Sequence, residues 1–381
     1  MTIQTLTDEQ RAFVDAIRDF AKRECGTREQ REALTDHGHE PHNQEMYERI
    51  AQLGWVGVAI PVQYGGAGGG AVDVCLLCEE FSRGQIPMGF FPITMMAARP
   101  VERFATEDLK REILGGIVHG RVEAIAMSEP EAGSDVGNLS CRAERSDGGY
   151  VINGQKTWIT GAHAATHILL VCRTNRTSDK HHGLSMISVP ADAEGMEVRP
   201  IETMGGREVN DLFFTDCHIP ADRLIGREDH AWTQLMAGLN NERLIIAAQS
   251  LGMAQRAFDD VLAYVKERKQ FGQAIGSFQT LKHRLADLAT EIEVTRLLVY
   301  SVAAQVDARP GEMLPRQASM AKLKATELAK RTTLEAMQMM GGYGYAVEYD
   351  MERQVRGALV TTIYGGTSEI QREIIAKTLG L

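Results

Sequence analysis

His167-Ile168-Leu169-Leu170-Val171-Cys172 and, after a polar interval, Leu184-Ser185-Met186-Ile187-Ser188-Val189 are short apolar runs. Their length and β-branched content are those of buried strands. Upstream, Tyr150-Val151-Ile152 is flanked by Asp147-Gly148 and Asn153-Gly154, dipeptides that favour tight turns. Downstream, Leu212-Phe213-Phe214 is a further strand candidate. Strands that follow one another without helices between them argue against alternating βαβ units. They predict an antiparallel β-barrel or sandwich over residues 121–225.

Outside that stretch the apolar period becomes helical. Thr7-Asp8-Glu9-Gln10 can form a capping box, with Phe13, Ile17, Phe20 and Ala21 following at helical spacing. Amphipathic stretches recur around 44–54, 71–83 and 107–118, so residues 1–120 are expected to form a helical domain. Beyond 226, Leu244, Ala247, Ala248, Leu251, Ala254, Phe258, Val261, Leu262 and Val265 make one apolar face. Two more long helices are expected near 278–306 and 315–340. Long helices with short connections predict an antiparallel bundle over 226–381. The predicted class is α+β.

A formal net charge of -10 over 381 residues disfavours nucleic acid as main partner, because phosphate neutralisation needs a clustered positive surface. No run reaches the roughly 20 apolar residues of a membrane helix. The polar start Met1-Thr2-Ile3-Gln4 has neither a secretion nor a transit pattern, and a cytoplasmic location is expected. Cys75 and Cys78 fall on an apolar helical stripe and are expected to be structural thiols. His37, His39 and His42 lie in a polar loop expected to be solvated, and no metal site is expected.

Five motifs then occur in order. Ala126-Met127-Ser128-Glu129-Pro130-Glu131-Ala132-Gly133-Ser134-Asp135 offers hydroxyls and a tight turn whose amides can approach an anionic oxygen. Asn153-Gly154-Gln155-Lys156-Thr157-Trp158-Ile159-Thr160 offers a flat indole beside another hydroxyl. Arg268-Lys269-Gln270-Phe271-Gly272 carries a bidentate donor suited to a diphosphate. Gln338-Met339-Met340-Gly341-Gly342-Tyr343-Gly344-Tyr345 and Tyr364-Gly365-Gly366-Thr367-Ser368-Glu369-Ile370-Gln371-Arg372 complete the set. Taken singly, Trp158 would be a core residue and Arg268 a solvated charge.

Together these motifs resemble those of the acyl-CoA dehydrogenases. The resemblance implies an N-terminal helical domain, a central antiparallel β-barrel and a C-terminal four-helix bundle. It also implies bound FAD, an acyl-CoA thioester substrate, electron-transfer flavoprotein as acceptor, and a homotetramer built as a dimer of dimers. Flavin contacts would come from Met127, Ser128, Gly133, Ser134, Trp158, Ile159 and Thr160, with Ser128 at the pyrimidine edge and Thr160 near N5. Arg268 would reach a neighbouring subunit's flavin, and Gln338 and Gly342 its adenosine half; Gln270, Phe271, Gly341 and Thr367 would also bind cofactor, and Glu369 its adenosine side. Ser134, Asn240, Asn241, Arg243, Tyr364 and Gly366 would contact substrate.

In most members of that family the catalytic glutamate stands where this chain has Gly365. Losing the side chain leaves the backbone N–H, which can still polarise the thioester carbonyl. Isovaleryl-CoA and long-chain acyl-CoA dehydrogenases lack the same glutamate and carry a base on a bundle helix, in a stretch resembling Asn241-Glu242-Arg243-Leu244. Glu242 is therefore the expected base for the α proton, with a β hydride passing to flavin N5 and a trans-2-enoyl-CoA as product. Two departures concern the CoA arm and the catalytic loop. Asn240 replaces a common aspartate, and Val355-Arg356-Gly357-Ala358 replaces an Arg-Asp-Ala sequence. Two rival readings keep the fold: an enoyl-CoA reductase of the crotonobetainyl-CoA type, and a non-catalytic subunit of a mixed oligomer.

Overall fold

The computed structural model describes residues 6–176, 181–236 and 239–381, without the side chains of 236 and 239–241. Helices come first: α1 (Asp8–Cys25), α2 (Arg28–Leu34), α3 (Gln44–Gln52), α4 (Ala71–Arg83), α5 (Phe91–Phe104) and α6 (Glu107–Val118). Then follow β1 (Val122–Ala126), β2 (Arg142–Ser146), β3 (Gly149–Thr160), β4 (Ala165–Arg173), β5 (Leu184–Pro190), β6 (Met196–Thr203), β7 (Gly206–Pro220) and β8 (Leu224–Ile225). Next are α7 (Ala231–Met236), α8 (Leu239–Glu267), the hairpin β9 (Lys269–Gln270) and β10 (Gln273–Ala274), α9 (Gln279–Ala308), α10 (Pro315–Met340) and α11 (Gly342–Tyr345). The chain closes with α12 (Met351–Thr361) and α13 (Ser368–Thr378).

The chain divides into two compact units, one comprising Met1–Gly38, Gly70–Pro87 and Asn240–Leu381, the other His39–Gly69 and Met88–Leu239. In the first, α1 opens with the expected capping box: Thr7 Oγ1 accepts from the Gln10 amide at 3.1 Å, and Gln10 Oε1 from the Thr7 amide at 3.2 Å. The expected apolar face of α8 is buried at Leu244, Ala247, Ala248, Leu251, Ala254, Val261 and Val265, with Phe258 and Leu262 packed at its margin. Cys75 and Cys78 are buried on α4, and burial pushes the Cys78 thiol up to about 12, so neither is a ready thiolate. Next to them Glu79 is buried but satisfied, accepting from Arg296 Nε at 3.1 Å and Tyr300 OH at 2.6 Å on α9.

In the second unit the expected barrel is not formed. The sheet order is β6-β7-β3-β2-β4-β5-β8, with β1 pairing β4 off this path. Closure requires each strand to bond on both edges. Among the described residues β6 pairs only with β7, and the two-residue β8 only with β5. Nor is the sheet purely antiparallel. The β1–β4 pairing is parallel, and β2 meets β4 in parallel at the single pair Arg142↔Arg173. Apolar period reports burial and not strand direction, which is why the sequence reading missed both features. Edge strand β6 alternates exposed and half-buried residues and carries Pro200, as an edge must tolerate.

Two local expectations also change. Asp147-Gly148 is the turn between β2 and β3, whereas Asn153-Gly154 lies inside β3 at a register shift against β7. Gly154 there has φ +143°, and a Cβ would sit 2.7 Å from Cys141 Cα, so the glycine serves a bulge and a close approach. His42 is not solvated. It is buried and stacked on Phe90 with ring centroids 4.6 Å apart, and burial lowers its pKa to about 4.

The sheet unit is cinched by a buried ion pair. Lys156 Nζ donates to Glu129 Oε1 at 2.8 Å and to the Met127 carbonyl at 2.9 Å. The other acceptor sites of Glu129 take the Ser140 amide and hydroxyl, each at 2.7 Å, and the Cys141 amide at 2.9 Å. Burial works to raise the Glu129 pKa, but Lys156 and Ser140 hold it below its usual range. Lys156→Met leaves this carboxylate buried without its cation and should cost about 3–5 kcal/mol at neutral pH. The deficit should shrink as Glu129 takes up a proton at lower pH. Urea unfolding at several pH values measures it, and a neutral-pH loss below about 1 kcal/mol contradicts the account.

Candidate active site

The missing side chain at 365 has a steric explanation. Gly365 has φ +62°, a left-handed conformation costly for residues with a Cβ. A Cβ built there would lie 2.2 Å from Ile246 Cδ1 on α8, far inside contact distance. The same Cβ position is 3.7 Å from Glu242 Oε1. One turn of α8 thus delivers two side chains to this glycine. Ile246 fills the space a residue at 365 would use, and Glu242 brings a carboxylate beside it.

Glu242 lies in the first turn of α8, where the helix dipole favours an anion. It is half-buried, and burial pushes its carboxyl above the usual range while Arg243 and Lys322 oppose that rise. Arg243 is buried, and burial lowers its own pKa against the pull of Glu242. Tyr364, Gly366 and Thr367 are half-buried in the same C-terminal turn. Thr367 caps α13, its hydroxyl accepting from the Ile370 amide at 3.3 Å. Glu369 is exposed at the start of α13, with its carboxyl held low by backbone and Thr367 hydrogen bonding. The side chains of Asn240 and Asn241 lie outside the described residues.

In the sheet unit, two of the expected flavin-facing stretches, Met127–Ser128 and Trp158–Thr160, lie side by side. The Thr157 amide donates to the Ser128 carbonyl at 2.9 Å, which lays the Met127–Ser128 segment along β3. Trp158 is 61% exposed and has φ +62° at a register shift between β3 and β7. An exposed indole on strained backbone beside half-buried Ser128 and Thr160 offers a stacking surface with hydroxyl donors at its edge. Asn210 Nδ2 meets the Ile159 carbonyl at 3.0 Å and stabilises the irregularity. Gly133 and Ser134 are exposed on the loop that Glu129 pins.

On the bundle unit, Arg268 lies 5.1 Å over the Tyr343 ring, which places its guanidinium near the turn that starts at Gly341–Gly342. Gln270 and Gln338 are exposed, and Phe271, at the tip of the β9–β10 hairpin, is 92% exposed. Among the described residues no group of side chains could hold a metal ion. Sequence reasoning missed Ile246, Gln371 and Lys322. Only Lys322 had a signal: it shares the buried face of α10 with Ala318, Ala325 and Ala329, where a lysine is out of place.

Family models for the N-terminal, middle and C-terminal domains of acyl-CoA dehydrogenases match residues 7–121, 124–217 and 229–380. A probable acyl-CoA dehydrogenase of Bacillus subtilis, YngJ, is 36% identical over 98% of each chain. The chain belongs to the acyl-CoA dehydrogenase family. CarC, a subunit of the caffeyl-CoA reductase–Etf complex of Acetobacterium woodii, is 35% identical over 95% of this chain and 96% of its own. The crystal structure of an acyl-CoA dehydrogenase from Geobacillus kaustophilus superposes with a TM-score of 0.92 at 33% identity, covering all of both chains. The FAD complex of PigA does so with a TM-score of 0.92 at 28% identity, again over all of both chains. Among the described residues no helix is long and apolar enough to cross a membrane.

Steric exclusion at 365 is testable. Gly365→Ala should lower unfolding free energy by about 1–3 kcal/mol, from overpacking and left-handed backbone together. In an Ile246→Ala background the same substitution should cost measurably less, because the clash is removed. Denaturant titration of the four proteins decides this, and strictly additive losses would sink it.

Proposed function

We propose that this chain is an FAD-dependent acyl-CoA dehydrogenase whose catalytic base is Glu242. The observation carrying this reading is the 3.7 Å between Glu242 Oε1 and the Cβ position of Gly365. A carboxylate from α8 stands beside the position whose own carboxylate is absent, as in the isovaleryl-CoA and long-chain type of base placement. In the reaction the α C–H bond of the thioester breaks and its proton passes to Glu242. The Gly365 N–H donates to the carbonyl oxygen as negative charge develops there. The electron pair left at the α carbon forms the new double bond of a trans-2-enoyl-CoA.

FAD, when bound, supplies the acceptor for the β hydrogen and its two electrons. Support for FAD comes from PigA, which binds it on this fold, and from the exposed Trp158 indole beside Ser128 and Thr160. Met127, Gly133, Ser134 and Ile159 belong to the same proposed surface. Arg268, Gln270, Phe271, Gln338, Gly341, Gly342, Thr367 and Glu369 are assigned to the diphosphate and adenosine portions. Arg243, Tyr364, Gly366, Ser134, Asn240 and Asn241 are assigned to substrate. Electron-transfer flavoprotein is the proposed acceptor, supported by the Etf complex to which CarC belongs. A homotetramer is supported by large apolar side chains left outside the bundle, with Phe271, Tyr345 and Val347 at 92%, 80% and 68% exposure.

The similarity to CarC favours one second reading, an enoyl-CoA reductase. The same groups then run in reverse, Glu242 delivering the α proton. Anaerobic product analysis with saturated and 2-enoyl thioesters separates the two directions.

Glu242→Gln should retain FAD yet reduce flavin bleaching by acyl-CoA about 10²- to 10⁴-fold, the usual worth of a general base. Butanoyl-, octanoyl- and 3-methylbutanoyl-CoA serve as probes. Undiminished bleaching would falsify the assignment. Because burial raises the Glu242 pKa and the base acts only when ionised, kcat/KM of the wild type should rise with pH through a midpoint above the ordinary glutamate range. A midpoint at or below that range counts against Glu242.

A further inference from the structure

A lysine that no step of the proposed reaction uses lies under the C-terminal turn. Lys322 is fully buried on α10. An unpaired ammonium in such a place is costly, so its contacts are informative. Its Nζ donates to the Thr361 carbonyl at 3.0 Å and to the Gly366 carbonyl at 2.9 Å. Thr361 ends α12, where unsatisfied carbonyls and the helix dipole favour a cation. One ammonium therefore ties the end of α12 to the far side of the turn containing Gly365.

Gln371, also fully buried, works from α13. Its Nε2 donates to the carbonyls of Gly365 and Gly366, at 3.0 Å each. Two successive glycines with φ of +62° and +81° have many other conformations open to them. The side-chain donors on their carbonyls restrict that freedom. The Gly365 N–H belongs to the Tyr364–Gly365 peptide, separated from the pinned Gly365 carbonyl by the two backbone torsions of Gly365, so holding the turn at Thr361, Gly365 and Gly366 narrows the range over which that N–H can aim. The charged groups that act on Lys322 are Glu242 and Arg243 of α8, Glu327 of its own helix and Glu369 of α13. Burial lowers its pKa to about 8, with Glu242 the largest influence in the opposite direction.

We propose that Lys322 is a positioning residue of the active site, whose ammonium braces the turn so that the Gly365 N–H is aimed and supplies positive charge that keeps Glu242 ionised. The proposal rests on the reading of Glu242 as base and Gly365 as carbonyl donor. It separates into a brace, which any donor of suitable reach supplies, and a charge, which only a cation supplies.

Two variants of the FAD-loaded protein separate these parts. Lys322→Met removes both, while Lys322→Gln keeps N–H donors and removes the charge. In Lys322→Met, hydrogen–deuterium exchange of amides 362–366 should rise about tenfold, the worth of one lost hydrogen bond. With the fastest of butanoyl-, octanoyl- and 3-methylbutanoyl-CoA, its kcat should fall about 10- to 100-fold while KM changes less. In Lys322→Gln the exchange should stay near wild type. The acid limb of kcat/KM should move up by roughly half to one pH unit, because a carboxylate without its neighbouring cation ionises later.

Wild-type exchange in Lys322→Met would overturn the brace. An unmoved acid limb in Lys322→Gln would overturn the charge. Activity that falls only in step with FAD content and melting temperature would reduce Lys322 to a core residue and overturn both. Should Lys322→Met fail to fold, Lys322→Gln alone still tests the charge through its acid limb, and increased exchange at 362–366 in it would argue against a donor-only brace. Glu242→Gln run in parallel keeps the two ideas distinguishable. If it retains bleaching, the base assignment falls while the exchange data still judge the brace. If it is inactive and the Lys322 variants are not, only the lysine proposal falls.

Discussion

The space beside Gly365 can hold one side chain, and Ile246 Cδ1 already stands 2.2 Å from where its Cβ would be. A left-handed glycine and a neighbouring Ile246 methyl that would have to turn aside together disfavour a side chain at this position of the C-terminal turn. The consequence extends up α8. Ile246 and Glu242 are four residues apart and share a helix face, so the helix that closes off one position presents a carboxylate at the next turn. The glycine, the isoleucine and the glutamate therefore behave as one steric arrangement, and none is intelligible alone. Read by itself, Gly365 signals a lost catalyst. Read with its packing, it is the position beside which α8 places Ile246 and the Glu242 carboxylate.

Much of this was legible in the sequence, because the relevant signals were local. The Thr7–Gln10 capping box, the α6 span Glu107–Val118 and the α10 span Pro315–Met340 follow from cap chemistry and apolar period, both carried by neighbouring residues. The pairing of Gly365 with Glu242 was legible only through family resemblance, since nothing in the spacing brings residues so far apart together. What escaped depends on non-local partners. Strand period cannot report that β1 runs parallel to β4, or that β8 is too short to close a barrel. Asn153-Gly154 looks like a turn because its residue types tolerate positive φ. A bulge demands the same tolerance, and only the β7 ladder separates the two. Ile246 looked like any apolar helix residue until the turn it abuts was in place.

Two buried lysines hold the loops to which site residues are assigned, by different means. Lys156 reaches a carboxylate, Glu129, whose remaining lone pairs gather the backbone of Ser140 and Cys141. The result is a charge-balanced cluster, its carboxylate accepting four hydrogen bonds, that fixes the segment bearing Ser128. Lys322 instead meets backbone carbonyls, so its contacts leave a net positive charge in the interior. That difference decides what each can do. A charge matched by its own counter-ion holds shape and exerts little field, whereas one solvated by dipoles acts on the next ionisable group, here Glu242.

Glu242 is thereby set between opposing demands. A base strong enough to take a weakly acidic α proton gains from burial, which raises its pKa, yet burial carried far enough would leave it protonated and useless. Arg243 and Lys322 act in the contrary sense. Their charges oppose the rise that burial imposes on the Glu242 carboxyl. Arg243 is adjacent in sequence, so its charge accompanies the glutamate wherever α8 goes. Lys322 is bonded to the turn that carries Gly365, so its charge and the proposed carbonyl donor move as one piece. In the proposed arrangement the same ammonium orders the donor and sustains the base, which couples the two halves of proton abstraction: a displacement of the turn that mis-aims the N–H also withdraws the charge that keeps the proposed base ready.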